Sequence, residues 1–187
     1  MVEKTEAKQD YTYELRIPKE RIAVLIGKNG DIKKEIEDHA KVKLKVDSRE
    51  GDIIISSPDS LNLYAAKEIV QAVGRGFNPE IALLLLKPDY SFEIIHCEEY
   101  AKSKNSAVRL KGRVIGEEGK SRRIIEDLTE CYLSVYGKTI GIIGDSANVA
   151  VARRAVTSLL SGSPHASVYK FLEKNRSKMK MPPPERI

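Results

Sequence analysis

The stretch Val24-Leu25-Ile26-Gly27-Lys28-Asn29-Gly30-Asp31-Ile32-Lys33-Lys34-Glu35-Ile36 returns in pattern as Arg113-Val114-Ile115-Gly116-Glu117-Glu118-Gly119-Lys120-Ser121-Arg122-Arg123-Ile124-Ile125-Glu126. Both copies carry an apolar pair, then Gly-x-x-Gly, then a run with helical spacing. The two glycine pairs lie 89 residues apart. A single Gly-x-x-Gly is weak evidence of anything, but a repeated one marks a supersecondary unit used twice.

The flanks repeat as well. Before the first pair, Tyr11–Ile17 alternates apolar and polar residues, the period of a half-buried strand. After it, Ile32, Ile36 and Ala40 keep helical spacing, and Val42, Leu44 and Val46 alternate again. Ser48–Gly51 turns the chain into the apolar run Ile53-Ile54-Ile55. Asp59 or Ser60 then caps a helix expected to turn Leu61, Ala65, Ile69 and Val73 inward. The second copy runs in the same order: a strand at Ser91–His96, a helix at Ala107–Val114, the glycines, and a helix at Arg122–Glu130. Strands at Tyr132–Tyr136 and Thr139–Ile143 and a helix at Ala147–Leu160 complete it. The fold class is therefore α+β, as two β-α-α-β-β-α units in tandem. The expected boundaries are a flexible N-terminus at 1–10, a first unit at 11–77 and a linker helix at 78–89. A second unit covers 90–162, and a basic C-terminal helix and tail cover 163–187, with Ser163-Pro164 as the helix start.

A Gly-x-x-Gly turn between helices has a physical use. Glycine reaches backbone angles closed to other residues and allows another backbone to come close. The next helix begins with amides that lack intrahelical acceptors and carries a partial positive charge, which suits an anion. Apolar neighbours such as Ile22, Leu25, Ile26 and Ile32 are expected to floor a groove for unstacked bases.

With these residues in place, both units resemble type I KH domains, single-strand RNA-binding modules whose Gly-x-x-Gly loop clamps four nucleotides. A narrower resemblance covers nearly the whole chain. The run Arg109-Leu110-Lys111-Gly112-Arg113-Val114-Ile115-Gly116, followed later by Gly162-Ser163-Pro164-His165-Ala166-Ser167-Val168-Tyr169, resembles the archaeal form of the partner-of-Nob-one family, also called dimethylase-interacting proteins. That resemblance implies ribosome biogenesis and rRNA processing, with binding to single-stranded RNA near the 3′ end of small-subunit (16S) ribosomal RNA. It also implies a Nob-one-type endonuclease and the rRNA adenine dimethylase as partners, and the location suggests contact with the translation initiation machinery. The residues expected to contact RNA are Ile26, Gly27, Lys28, Asn29, Gly30 and Lys33 around the first loop. Around the second they are Lys111, Arg113, Gly116, Glu117, Glu118, Gly119, Lys120, Arg122 and Arg123. Arg153, Arg154, His165, Lys170 and Lys174 are further candidates for RNA contact.

Charge divides unevenly along the chain. The 187 residues carry 32 basic and 27 acidic side chains, a net charge of +5. Residues 1–77 hold 14 of each, so the whole excess lies in the second half, and 106–180 hold 14 basic against 7 acidic. The second half is thus the better surface for a polyanion. Each feature also has a plainer reading. The first loop, with neutral surroundings, could be a helix-to-helix turn in a domain turned to protein contact. Glu117 and Glu118 repel phosphate and favour a helix N-terminus, although five cations surround them. Lys170, Lys174 and Lys178 recur every four residues and form either a solvated face or an RNA contact.

Composition excludes other classes. At 41% hydrophobic the chain can build a core, and no apolar run nears the ~20 residues that span a bilayer. Met1–Asp10 lacks an apolar signal core, so the expected location is the cytoplasm. Cys97 and Cys131 fit neither a disulfide framework nor a metal cage, and His39, His96 and His165 show no zinc-site spacing. No nucleotide-loop Gly-Lys-Ser/Thr ending, catalytic carboxylate pair, nucleophile elbow or triad stands out, so no cofactor and no enzymatic activity are expected. The alternatives kept open are a protein-interaction scaffold and another KH-type RNA regulator or exosome-type subunit.

Overall fold

Backbone hydrogen bonding forms two three-stranded antiparallel sheets among residues 10–179, the residues that this computed structural model describes. The segments expected to be flexible, 1–9 at the start and the tail beyond 179, lie outside the described residues, as does the side chain of Lys178. The chain divides into two compact units between Leu86 and Lys87.

The first unit runs β1 (Tyr11–Arg16), α1 (Lys19–Ile26), the first glycine loop, α2 (Asp31–Ala40), β2 (Lys43–Val46), β3 (Asp52–Ser57) and α3 (Ser60–Gly74). Its sheet has the order β1-β3-β2, with Leu15 opposite Ile53 and Leu44 opposite Ile55. Alternation puts Ile53 and Ile55 on the helix-covered face, where both are fully buried with Leu25, Ile36 and Ile69. The Asp59 carboxylate accepts from Leu61 N at 2.8 Å and starts α3. The inward stripe of α3 is Ala66, Ile69, Val70 and Val73; Leu61, expected inside, is 78% exposed. Leu61 lies in the first turn of α3, where the helix turns it to solvent, so periodicity alone placed it wrongly. Residues expected to form a linker helix make a short helix α4 (Pro79–Ala82) and a 3-10 turn at Leu83–Leu86, which pack against α3 within this unit.

The second unit repeats the order as β4 (Tyr90–His96), α5 (Lys104–Ile115), the second loop, α6 (Lys120–Thr129), β5 (Tyr132–Tyr136), β6 (Thr139–Asp145) and α7 (Ser146–Leu160). The sheet order β4-β6-β5 matches that of the first unit. A last helix, α8 (His165–Met179), is part of this unit. Val168 and Leu172 are buried in its core, while Lys170 and Lys174 lie exposed. The α+β class and the β-α-α-β-β-α order agree with the sequence reading. No helix of the described residues is long and apolar enough to cross a membrane.

Candidate nucleic-acid interface

The two loops have nearly the same backbone. The first glycine sits at φ 73°, ψ −177° in one loop and φ 74°, ψ 174° in the other. The third position is left-handed in both, Asn29 at φ 56° and Glu118 at φ 49°. The closing glycines, Gly30 and Gly119, lie at φ 83° and φ 76°.

The glycines of each pair have different jobs. A Cβ on Gly27 would meet Ile32 N at 2.9 Å, and one on Gly116 would meet Ser121 N at 2.6 Å. The first glycine therefore lets the loop close onto the following helix. A Cβ on Gly30 would meet nothing within 4 Å, and one on Gly119 only the Arg123 guanidinium at 3.9 Å. The second glycine faces open space, where a phosphate backbone can approach the first-turn amides of α2 or α6.

A carboxylate on each second helix secures the neighbouring strand. Glu37 Oε1 accepts from Leu44 N at 2.7 Å and lies 3.9 Å from Lys33 Nζ. Glu126 Oε1 accepts from Leu133 N at 2.8 Å, and its Oε2 lies 3.4 Å from Arg122 Nε. Lys33 and Arg122 are thus equivalent, and each shares its charge with a carboxylate behind the loop. The sequence reading missed Glu37 and Glu126; their common 89-residue offset was the available signal.

The remaining cations sort into three groups. Lys28 and Lys120 stand exposed at the loops, and Arg123 Nη2 donates to the Glu118 carbonyl at 2.5 Å. Arg113, by contrast, faces inward. Its Nε donates to Leu159 O at 3.2 Å and its Nη2 to Ser163 O at 2.7 Å, closing the end of α7. Arg21 does the same for α3, donating to Val73 O at 2.8 Å and Phe77 O at 2.7 Å. Lys111 Nζ donates to Gly137 O at 2.8 Å, tethering the β5–β6 turn.

The further candidates divide likewise. Arg153 pairs with Glu93 at 3.0 Å, and Arg154 stacks on Phe171 at 5.0 Å. His165 Nε2 is 2.8 Å from Arg113 O and its ring packs edge-on against Tyr169, so it pins the start of α8 to the end of α5. Lys170 and Lys174 remain on the open face of α8.

The apolar side of the groove is narrower than expected. Ile22 and Leu25 are core residues at 3% and 0% exposure, not groove floor. Ile26 and Ile32 are half-buried, and Ile115 is exposed. Gly112, one helical turn before Gly116, is also exposed, with open space where a Cβ would stand.

Both cysteines are buried. Burial pushes the Cys131 thiol up to about 11 and raises that of Cys97 as well, so neither is poised as a thiolate. No group of three or more His, Cys, Asp or Glu capable of holding a metal occurs among the described residues.

Comparison with known proteins places this geometry. Residues 91–177 match the model of the second KH domain of PNO1, described as a eukaryotic-type (type I) KH domain, and residues 12–72 match the general KH domain. An RNA-binding protein pno1 of Dictyostelium discoideum is 31% identical over 90% of this chain and 72% of its own length. The chain belongs to the PNO1 family. Within it, a KH domain-containing protein of Methanocaldococcus jannaschii is 52% identical over 92% of this chain and 78% of its own. The crystal structure of an a/eIF2alpha–aDim2p–rRNA complex from Pyrococcus horikoshii contains a chain 42% identical to this one. It superposes with a TM-score of 0.85 and covers 90% of this chain and 96% of that one. Both loops are intact in this PNO1-family chain, with the same backbone at each glycine.

Proposed function

We propose that this protein binds single-stranded RNA at the 3′ end of 16S ribosomal RNA and holds it for processing, without itself carrying out a reaction. The observation that carries this reading is the open space at Gly30 and Gly119, each at the N-terminus of a helix and each backed by a carboxylate-tethered strand. The rRNA in the complex of the Pyrococcus horikoshii relative supports the same ligand class. The contacts assigned to RNA are the backbones of Gly27–Gly30 and Gly116–Gly119, with Lys28, Lys33, Lys120, Arg122 and Arg123. Arg113, Lys111 and His165 hold the frame. Such a factor works in the cytoplasm beside a Nob-one-type endonuclease and the adenine dimethylase.

A second role accompanies this one in the first unit. Tyr11, Tyr13, Leu61 and Tyr64 are exposed there, in a segment (1–77) with no net charge, which favours contact with a protein such as an initiation-factor subunit.

The test is fluorescence anisotropy with a labelled 12-nucleotide RNA copying the 16S 3′ end, a scrambled RNA and a duplex, each at two salt concentrations. Tight binding is expected for the first alone, with log affinity falling by about 0.7 per phosphate contact per decade of salt. Equal binding to all three would leave only a general basic surface, and binding to none would leave only the protein-contact role.

A further inference from the structure

The two units differ at one place beside the loops. Gly27 follows the last residue of β1 by 11 positions, whereas Gly116 follows the last residue of β4 by 20. The nine additional residues form a 3-10 turn at Cys97–Glu99, a short loop and the first turn of α5. The first unit has no counterpart, since its chain passes from Arg16 through Ile17 and Pro18 straight into α1.

This added segment encloses a cavity of about 400 Å³. Ala101, Ala107 and Val108 give it an apolar lining, with Val108 64% exposed. Lys102, Lys104, Lys111 and Lys138 stand around it, against a single carboxylate in the lining, Glu98. Glu98 is paired with Lys138 at 2.6 Å, and Lys111 is held by Gly137 O. Lys102 and Lys104 are exposed and have no ion-pair partner among the described residues. Four cations around an apolar hollow match a nucleotide, whose base is flat and weakly polar and whose phosphate is anionic.

The cavity also connects to the loop. Val108, Gly112 and Ile115 follow i, i+4, i+7 spacing on α5, and all three are exposed. They form one strip from the cavity to Gly116, about 12 Å long at 1.5 Å per residue.

We propose that this cavity is an additional nucleotide subsite, taking one base and its phosphate from RNA beyond the four nucleotides gripped at the second loop. The inference rests on the RNA-binding reading above. Val108 and the alanines cover the base, and Lys102 and Lys104 meet the phosphate. Glu98 opposes entry by neutralising Lys138.

The test uses the whole protein and the labelled 12-nucleotide RNA across a salt series, with three variants whose altered side chains are exposed. Lys102→Ala with Lys104→Ala should weaken binding roughly tenfold and reduce the salt slope by about 0.7, one phosphate contact. Val108→Ser should weaken binding about fourfold with the salt slope unchanged, as loss of a covering methyl-sized contact requires. Glu98→Gln should tighten binding about twofold by freeing Lys138. Gly119→Asp serves as the control for the loop itself. If it abolishes binding while all three cavity variants bind like the native protein, the subsite is overturned and the loop reading stands. If neither it nor the cavity variants change affinity, the RNA reading itself has failed.

Discussion

Each loop asks two different things of its two glycines. Gly27 and Gly116 combine φ near +74° with ψ near 180°, a region essentially reserved for glycine, and both lie against the backbone of the helix that follows. Gly30 and Gly119 are left-handed, a region that Asn and Asp also enter. Gly116→Ala should therefore destabilise the second unit by on the order of 1–3 kcal/mol from backbone strain alone, with the contact to Ser121 N adding to it. Gly119→Asp should melt within a few degrees of the native protein. Thermal unfolding followed by circular dichroism checks both, and equal melting points for the two variants would contradict the division of labour. The sequence revealed that both glycines matter; only the dihedral angles and the space around each Cα separate the one that closes the loop from the one that faces the ligand.

Among the elements, α3 in the first unit and α7 in the second are each held by an arginine from the first long helix of the same unit, α1 or α5. Arg21 and Arg113 occupy different positions relative to their loops, yet each donates to two carbonyls four residues apart where α3 or α7 ends. Val73 O and Leu159 O also accept from Gly76 N and Gly162 N at 3.1 Å, so the guanidinium adds a charged second donor at each helix end and complements the helix dipole. Arg113→Ala should cost about 2 kcal/mol, the loss of charged hydrogen bonds, and lower the melting temperature by several degrees. The salt slope of RNA binding should stay as it is, because no phosphate contact is removed. A reduced slope with unchanged stability would restore Arg113 to the RNA surface. In the sequence, Arg113 is one of five cations near the second loop, and counting cations cannot tell which of them turns inward. The partners that fix its direction lie 46 and 50 residues away.

For the whole molecule, one loop geometry appears in two electrostatic settings. The first half is neutral and the second carries the full +5. Gly119→Asp should thus weaken RNA binding more than Gly30→Asp. If both loops grip one RNA, the double variant should lose affinity by about the product of the two single losses, since covalent linkage makes the second contact intramolecular. Anisotropy titrations of the two single variants and the double variant measure this. An unchanged affinity for Gly30→Asp would assign the first unit to protein contact, where its exposed tyrosines lie.

The sequence by itself determined the repeat, the α+β class, the order of elements and the positions of both loops. These follow from local periodicity and from glycines whose backbone angles few other residues share. Periodicity marks a helix face but not what lies opposite it, so Leu61 was placed inside and Ile22 and Leu25 in the groove. Tertiary structure decided which cations are free at the surface and which are bound to carbonyls or carboxylates. It also decided that α8 belongs to the second core and that nine extra residues enclose a cavity. Each of these depends on groups far apart in the chain meeting in space, and charge or hydropathy along one dimension does not record such meetings.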